Sequence, residues 1–391
     1  MIFVVLATGV SFCWNKNMNG LRNIIQIYNV GSAGLLMALL AGVVLLMVGG
    51  FSSAAEPAAH FPGRTWEKKP PGEAGLDPEK LQAFISRLST PAEESRRGPT
   101  KDGESCGCVI KDGFMVASWG APSQKTDWRS ASKPMLSTML FFAIQEGRLK
   151  SVDDRVGDWG WKMSAKDKPM TFAHLANMVS GYTLNEPPGA AWGYNDFAIQ
   201  LYALTLDRVF GGKGLNEPAG RLLKDLQLED GDVFGTNMKV VTSPRDFARI
   251  GWLWMHHGDW NGRGVLRRDF FERYLKPHVP ANLPVAERND PDEYLGVNSY
   301  GGGNNQWEPG PGLYGFNWWF NAPMPKTGGL YWPTAPPDTF AALGYGGHYM
   351  VMIPSRNLLV AAHANWGSEA SGDPHSRFST NLKLLLEAVK P

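Results

Sequence analysis

Apolar positions recur along this chain in two rhythms, and the switches between them outline a fold. Asp77-Pro78-Glu79 opens a helical run to about Ser89: an Asp placed to cap, Pro in the first turn, and an acid where the helix dipole favours it. Cys106 to Ile110 and Phe114 to Ser118 read as strands about the turn Lys111-Asp112-Gly113, after a polar loop at 91–104. Pro134 to Ile144 is apolar at helical spacing, with Gly147 placed to end it. Residues 150–275 read as mainly helical, with periodic runs at Thr171 to Met178, Asp196 to Phe210 and Ser243 to Met255. Residues 276–312, rich in Pro, Asn and Gly, predict a surface loop. Strand patterns return at Tyr349 to Ile353 and Leu358 to His363 about Pro354-Ser-Arg-Asn357, and Arg377 to Val389 predicts a last helix. The order predicts an α+β fold: an antiparallel sheet flanked by N- and C-terminal helices, with an inserted, mainly helical lobe at about 150–275.

The N-terminal region follows another pattern. Gly31 to Phe51 is almost wholly apolar, with Lys16 and Arg22 upstream and Ser53-Ala54-Ala55 behind, small residues of the kind a signal peptidase reads. Residues 1–55 are therefore expected to be a signal peptide cut after Ala55, or a retained anchor attaching the protein to a membrane through 31–51. Met18 would also begin a workable signal. Either reading makes the protein exported, to the periplasm or extracellular space, and membrane-anchored where the segment is retained. Residues 56–75, rich in Pro and Gly, read as a linker, leaving 76–390 as the folded domain.

A hydrophobic fraction of 43% over 391 residues supports a sizeable core. The net charge of +1 gives nucleic acid no reason to bind. Of three cysteines, Cys106 and Cys108 share one face of a strand, too few for a zinc site or a disulfide framework, and read as small buried residues.

Three stretches carry candidate chemistry. In Ser130-Ala-Ser-Lys133, residues three apart share a helix face, so hydroxyl and amine can meet. Lys133 then sits in the first turn, where the dipole disfavours a cation, and a buried lysine can lose its proton and accept one from a serine. The bland reading makes Ser130 a helix cap and Lys133 a solvated cation. In Trp192-Gly193-Tyr194-Asn195-Asp196, at a loop-to-helix junction, Tyr194 could enter a cleft with its pKa lowered by a nearby ammonium, and then exchange protons with the serine or the leaving group; alternatively it is an ordinary half-buried aromatic. Gly344-Tyr345-Gly346-Gly347-His348 leads into a strand whose N–H groups could supply half of an oxyanion hole, the Ser130 N–H being the other half, or it is simply a turn. His174, on an apolar helical face, reads as a core histidine, and His256 and His257 as helix-end residues suited to the dipole.

Together and in this order, the three stretches resemble the serine β-lactamase and penicillin-binding protein superfamily, closest to the class C β-lactamase-related esterases and amide hydrolases. Met178-Val-Ser180-Gly181, Asp246-Phe-Ala-Arg-Ile-Gly251, Tyr314-Gly-Phe-Asn-Trp-Trp319 and Ala342-Leu-Gly-Tyr-Gly-Gly347 extend the resemblance over most of 75–390. It implies Ser130 as the acylated nucleophile, Lys133 as its activator, and Tyr194 as the tyrosine of the Tyr-x-Asn box. Tyr345, Gly346 and Gly347 would stand at the Lys-Thr-Gly or His-x-Gly box, with the His348 N–H in the oxyanion hole. The chain departs from the pattern twice: Asp196 stands where the second box has Asn, at a substrate-binding position, and Tyr345 removes the cation of the third. Lys326-Thr327-Gly328-Gly329 imitates the third box, but the prolines behind it do not suit a central strand. The resemblance implies a serine hydrolase acting on a small ester or amide without metal or organic cofactor. Alternatives are a D-amino-acid peptidase or β-lactamase of the same superfamily, or a noncatalytic sensor.

Overall fold

In the computed structural model the described residues are 3–5, 11–13, 59–89, 105–235, 238–305, 310–366 and 376–390, with 3–5, 11–13, 304 and 305 described by backbone only. The chain divides into two units, Met1–Ala58 and Ala59–Pro391. In the first, only the backbone of two short antiparallel strands, Phe3–Val5 and Ser11–Cys13, is described. The apolar run 31–51, the expected cleavage site and the polar loop 91–104 lie outside the described residues. Among the described residues no helix is long and apolar enough to cross a membrane.

The second unit begins its regular structure with α1 (Pro78–Ser89), where Asp77 Oδ1 accepts the Glu79 and Lys80 amides at 3.0 and 3.1 Å. Strands β1 (Cys106–Lys111) and β2 (Phe114–Trp119) follow, their tight turn set by positive φ at Asp112 and Gly113. Helix α2 (Lys133–Gln145) follows directly from the turn that holds Ser130. The lobe contributes α3 (Phe172–Ala176), α4 (Asp196–Val209), α5 (Asn216–Leu223), α6 (Pro244–Met255) and α7 (Arg268–Tyr274). The chain then returns to the sheet with β3 (Tyr314–Gly315), β4 (Trp318–Phe320), β5 (Phe340–Gly344), β6 (His348–Ile353) and β7 (Leu358–His363), and closes with α8 (Arg377–Glu387).

These strands form one antiparallel sheet in the order β3-β4-β5-β6-β7-β1-β2. Strand alternation decides what covers each face. Tyr349 packs on Phe378 of α8, which lies against α1, while Met350 and Leu359 reach the backbone of Gly251 in α6 on the other face. With both faces covered, β6 and β7 are buried throughout, which explains their unbroken apolar runs.

Two expectations need correction. The stretch read as a linker is, over 59–75, part of the body. Trp66 is buried and its Nε1 donates to Arg245 O at 2.8 Å, while Met115 N donates to Glu67 O at 2.9 Å. The edge of β2 has backbone groups to satisfy, and a Pro-rich segment with aromatic anchors can do so without being helical. The expected surface loop at 276–312 is pinned to the lobe. Glu293 accepts the Tyr182 hydroxyl at 2.5 Å and two backbone amides, and the Tyr294 hydroxyl donates to buried Asp167 at 2.9 Å. Its Asn304–Asn305 pair hydrogen-bonds the backbone of Tyr194–Asn195.

Candidate active site

Ser130 lies in a 3-10 turn, Arg129–Ser132, that runs directly into α2. Arg129 has φ 52°, a left-handed conformation that costs a non-glycine residue of order 1–3 kcal/mol and must be held by its surroundings. Asp127 holds it: Oδ1 accepts the Arg129 amide at 2.8 Å, and Oδ2 its guanidinium at 3.2 Å. A short pairing of Thr126–Asp127 with Val241–Thr242, and a bond from Val240 N to Ser132 Oγ at 3.0 Å, fix the segment from the lobe side. The turn makes no side-chain cap, so Ser130 is not spent on capping.

Lys133 is 1% exposed, and its Nζ lies 2.6 Å from Ser130 Oγ. On its other side Asp196 Oδ1 is 2.8 Å away, an ionic contact rather than a well-aligned hydrogen bond. The ammonium lies 4.6 Å from the ring centre of Tyr194 and 5.5 Å from that of Tyr300. The Tyr194 hydroxyl hydrogen-bonds Ser130. Alcohol, amine and phenol, 64 residues apart between Ser130 and Tyr194, therefore meet.

The electrostatics correct one expectation. The Tyr194 phenol is pushed up from its ordinary value, not lowered: burial disfavours the phenolate, the Asp196 carboxylate adds repulsion, and the bond to Ser130 only partly offsets them. At neutral pH Tyr194 is a proton donor. Asn195 next to it is structural, capping α4 by accepting the Phe197 and Ala198 amides. That cap turns the chain so that Tyr194 and Asp196 converge on Lys133. Asp196 itself, expected to bind substrate, faces the lysine instead.

The third stretch closes the site from the sheet. A Cβ on Gly344 would sit 2.5 Å from Trp128 O and 3.1 Å from Ala131 N, so only glycine lets β5 come this close to the nucleophile segment. Gly344 O accepts Gly347 N at 3.2 Å and so faces β6. By alternation the amide of the next residue, Tyr345, turns away from β6. His348, expected to supply the oxyanion N–H, sits opposite Gly344 in the interior strand β6, its ring 4.1 Å from that of His363. Gly346 and Gly347, with φ near 80°, form the hairpin turn between β5 and β6. The imitation at Lys326 to Gly329 is an exposed turn outside the sheet.

A family model described as Beta-lactamase matches residues 108–381. The chain belongs to the beta-lactamase family. A curated relative, an uncharacterized protein of Alkalihalophilus pseudofirmus, is 21% identical over 295 residues, covering 64% of this chain and 80% of its own. Among solved structures, a protein from Bacteroides dorei described as a beta-lactamase superposes with TM-score 0.55 at 16% identity, covering 80% of this chain and 97% of its own. One from Bacillus anthracis described as a 6-aminohexanoate-dimer hydrolase gives 0.54 at 13%, covering 84% and 87%. A family VIII carboxylesterase gives 0.52 at 14%, covering 80% and 98%. At such identities these structures establish the fold.

On this family fold, several site residues were not foreseen from sequence. Tyr300 comes from the 276–312 stretch; it is 3% exposed and bonds Met238 O at 3.1 Å. Trp192, Tyr314 and Trp319 surround the Tyr194 ring at 6.3–6.4 Å. Tyr314 accepts Asn317 Nδ2 at 3.2 Å, and Asn317 Oδ1 accepts the Ser137 hydroxyl of α2 at 2.7 Å, so the Tyr-Gly-Phe-Asn-Trp-Trp motif ties the aromatic wall to the helix bearing the lysine. That motif was the available signal. Nothing in the local sequence marked Tyr300.

Of the histidines set aside, His174 completes a capping box with Thr171, and His256 Nδ1 lies 2.8 Å from Trp252 O.

Proposed function

We propose that this protein is an exported serine hydrolase that cleaves an ester or small amide through an acyl-enzyme on Ser130. The observation that carries the reading is the buried Lys133 held 2.6 Å from a half-buried serine hydroxyl that also bonds Tyr194. In its neutral amine form Lys133 accepts the Ser130 proton as Ser130 Oγ bonds to the acyl carbon. The amides of Ser130 and Tyr345 stabilise the oxyanion. Tyr194, a neutral phenol, protonates the departing alcohol or amine and recovers a proton from Lys133. Water then releases the acyl group by the same route in reverse. The scheme calls for no metal or organic cofactor.

An ester or short amide suits the site better than a β-lactam. Asp196 is engaged with Lys133, and Tyr345 leaves the third box without a cation. The apolar stretch 31–51 supports export, with or without membrane attachment. A fluorophosphonate probe is expected to label the wild-type chain and not Ser130→Ala, with circular dichroism confirming that both are folded. Equal labelling of the two would remove Ser130 from the mechanism.

A further inference from the structure

Opposing influences meet at the Lys133 amine. It is 1% exposed and is the first residue of α2, where the helix dipole disfavours a cation. Burial disfavours a cation as well. Against both stands the Asp196 carboxylate, its Oδ1 2.8 Å from Nζ. The serine needs the opposite of what that carboxylate supports: an ammonium 2.6 Å from Ser130 Oγ can donate to the oxygen but cannot take its proton.

The carboxylate is held where it is. Asp196 opens α4, and there the helix dipole favours an anion. Its amide donates to Gly303 O at 3.0 Å, and its carbonyl accepts the Tyr300 amide at 3.0 Å. The other groups about the amine are phenols. Lys133 Nζ lies over the rings of Tyr194 and Tyr300, at 4.6 and 5.5 Å, and its charge also reaches Tyr314. Burial above all keeps these three phenols neutral. Further out, Lys239 Nζ is 5.4 Å from the Tyr300 ring centre, and Asp127, on the turn before Ser130, is engaged with Arg129. Asn at position 196 would keep the shape of the side chain and remove its charge, leaving burial and the α2 dipole unopposed.

We propose that Asp196 is a positioning residue that gates the reaction by pH: it holds the resting Lys133 as an ammonium, so that acylation starts only as rising pH strips that proton. This rests on the serine-hydrolase reading of Ser130. The proton lost from Lys133 goes to water or hydroxide. The free amine then takes the Ser130 proton as Oγ bonds to the acyl carbon, and Lys133 is an ammonium beside Asp196 once more. The carboxylate therefore acts twice, against the start of acylation and in favour of the charged lysine that acylation produces.

The test follows the rate of fluorophosphonate labelling, and kcat/KM on 4-nitrophenyl butyrate, between about pH 5 and pH 9 on the full chain. Wild type, Asp196→Asn and Tyr194→Phe are compared, with Ser130→Ala as the blank and a thermal melt on each. Wild-type rates should climb with pH. Taking away an opposite charge at this distance moves a titration by about one to three pH units, so Asp196→Asn should climb at lower pH and label about tenfold or more faster at the acid end. At the alkaline end it should be the slower of the two, because its lysine is the weaker base. Curves that cross in this way are not produced by a purely structural defect. Tyr194→Phe should leave the climb at its wild-type pH. In wild type alone the climb should move to lower pH on warming, as the titration of an ammonium does and that of a carboxylate does not, and this reading stands even where Asp196→Asn fails to fold. An Asp196→Asn curve that climbs at the wild-type pH, or is lowered equally throughout, overturns the gate, as does a wild-type climb that ignores temperature or that shifts in Tyr194→Phe; the nucleophile is untouched by these results. Absence of Ser130-dependent labelling in wild type at every pH overturns the hydrolase reading, and the gate with it.

Discussion

Replacing Tyr194 by Phe removes one oxygen and leaves the ring, so it isolates what the phenol does. The ring is 6% exposed, lies 6.3 Å from Trp319 and sits 4.6 Å from Lys133 Nζ, and all of this survives in Phe. Ser130 loses one hydrogen bond but keeps Lys133, so the stability cost is about 1 kcal/mol. The catalytic cost depends on the leaving group. With burial and Asp196 keeping the phenol protonated, Tyr194 can only donate at the start of the reaction, and the donation matters where the leaving group is a poor one. A positioned general acid contributes about 10²–10⁴, or roughly 3–5 kcal/mol of barrier. Tyr194→Phe should therefore lose that factor in kcat/KM on an alkyl ester or anilide of a given acid, and well under tenfold on its 4-nitrophenyl ester, whose phenolate leaves unaided. The assay is steady-state turnover of the matched pair, with a thermal melt on the same samples. Equal losses on both substrates would refute the assignment, because Tyr194 would then be acting on the serine, as its base.

Two further outcomes follow from the packing and the charges. Gly344→Ala should abolish measurable acylation and lower Tm, because the new Cβ would meet Trp128 O at 2.5 Å and push β5 off the nucleophile segment; wild-type labelling in a Gly344→Ala chain would show that this approach is dispensable. On acidification from about pH 7, thermal stability should fall in two stages. Burial first, and for some of them nearby charges, hold His174, His256, His257 and His278 below their ordinary values, so the unfolded chain takes up protons first and stability drops as pH falls below about 6.5. Burial would raise Asp230 and Glu293, but Arg245 and Ser243 on the one, and Tyr182 with backbone amides on the other, outweigh it and hold both low; their contribution persists above about pH 4 and disappears as pH falls through their native values. A Tm unchanged between pH 7 and pH 5, followed by differential scanning calorimetry, would contradict the first stage.

Where the chemistry is local, the sequence was a good guide. Ser130 and Lys133 meet because a helical turn brings positions three apart together, and any chain entering a helix at that point would do the same. Strands β6 and β7 were legible because they are buried on both faces, and the hairpin about Pro354 to Asn357 because Asn357 adopts a left-handed φ of 42°, whereas β3, β4 and β5 were not legible as strands. Legibility failed where a residue's role is set by a distant segment. Asp196 looked like a defective substrate-binding position, since nothing in Trp-Gly-Tyr-Asn-Asp says that a lysine 63 positions earlier will lie 2.8 Å away. His348 looked like the oxyanion donor by counting the box along the chain, and the hairpin register places it opposite Gly344 in the interior strand β6, which counting along the chain does not show. Residues 276–312 looked like surface because Pro, Asn and Gly mark irregular backbone, and irregular backbone can still be buried when its polar groups find partners such as Glu293 and Asp167.

The same failures show how the site is assembled. Ser130 and Tyr194, the groups of the proposed mechanism, are each aimed by a two-residue backbone pairing with a remote stretch: Thr126–Asp127 with Val241–Thr242 before the serine, and Tyr194–Asn195 with Asn304–Asn305 behind the tyrosine. Such pairings are too short to be stable alone, so they form only once the sheet and lobe have packed. Until then Lys133 has a serine but no carboxylate, and Tyr194 has neither its aromatic wall nor the burial that keeps its proton in place. A buried ammonium without a partner is costly, which couples the docking of the 290–305 stretch and of α4 to the folding of the nucleophile turn. The proton pathway is therefore a product of long-range closure in this chain, and the Ser-x-x-Lys spacing by itself confers none of it.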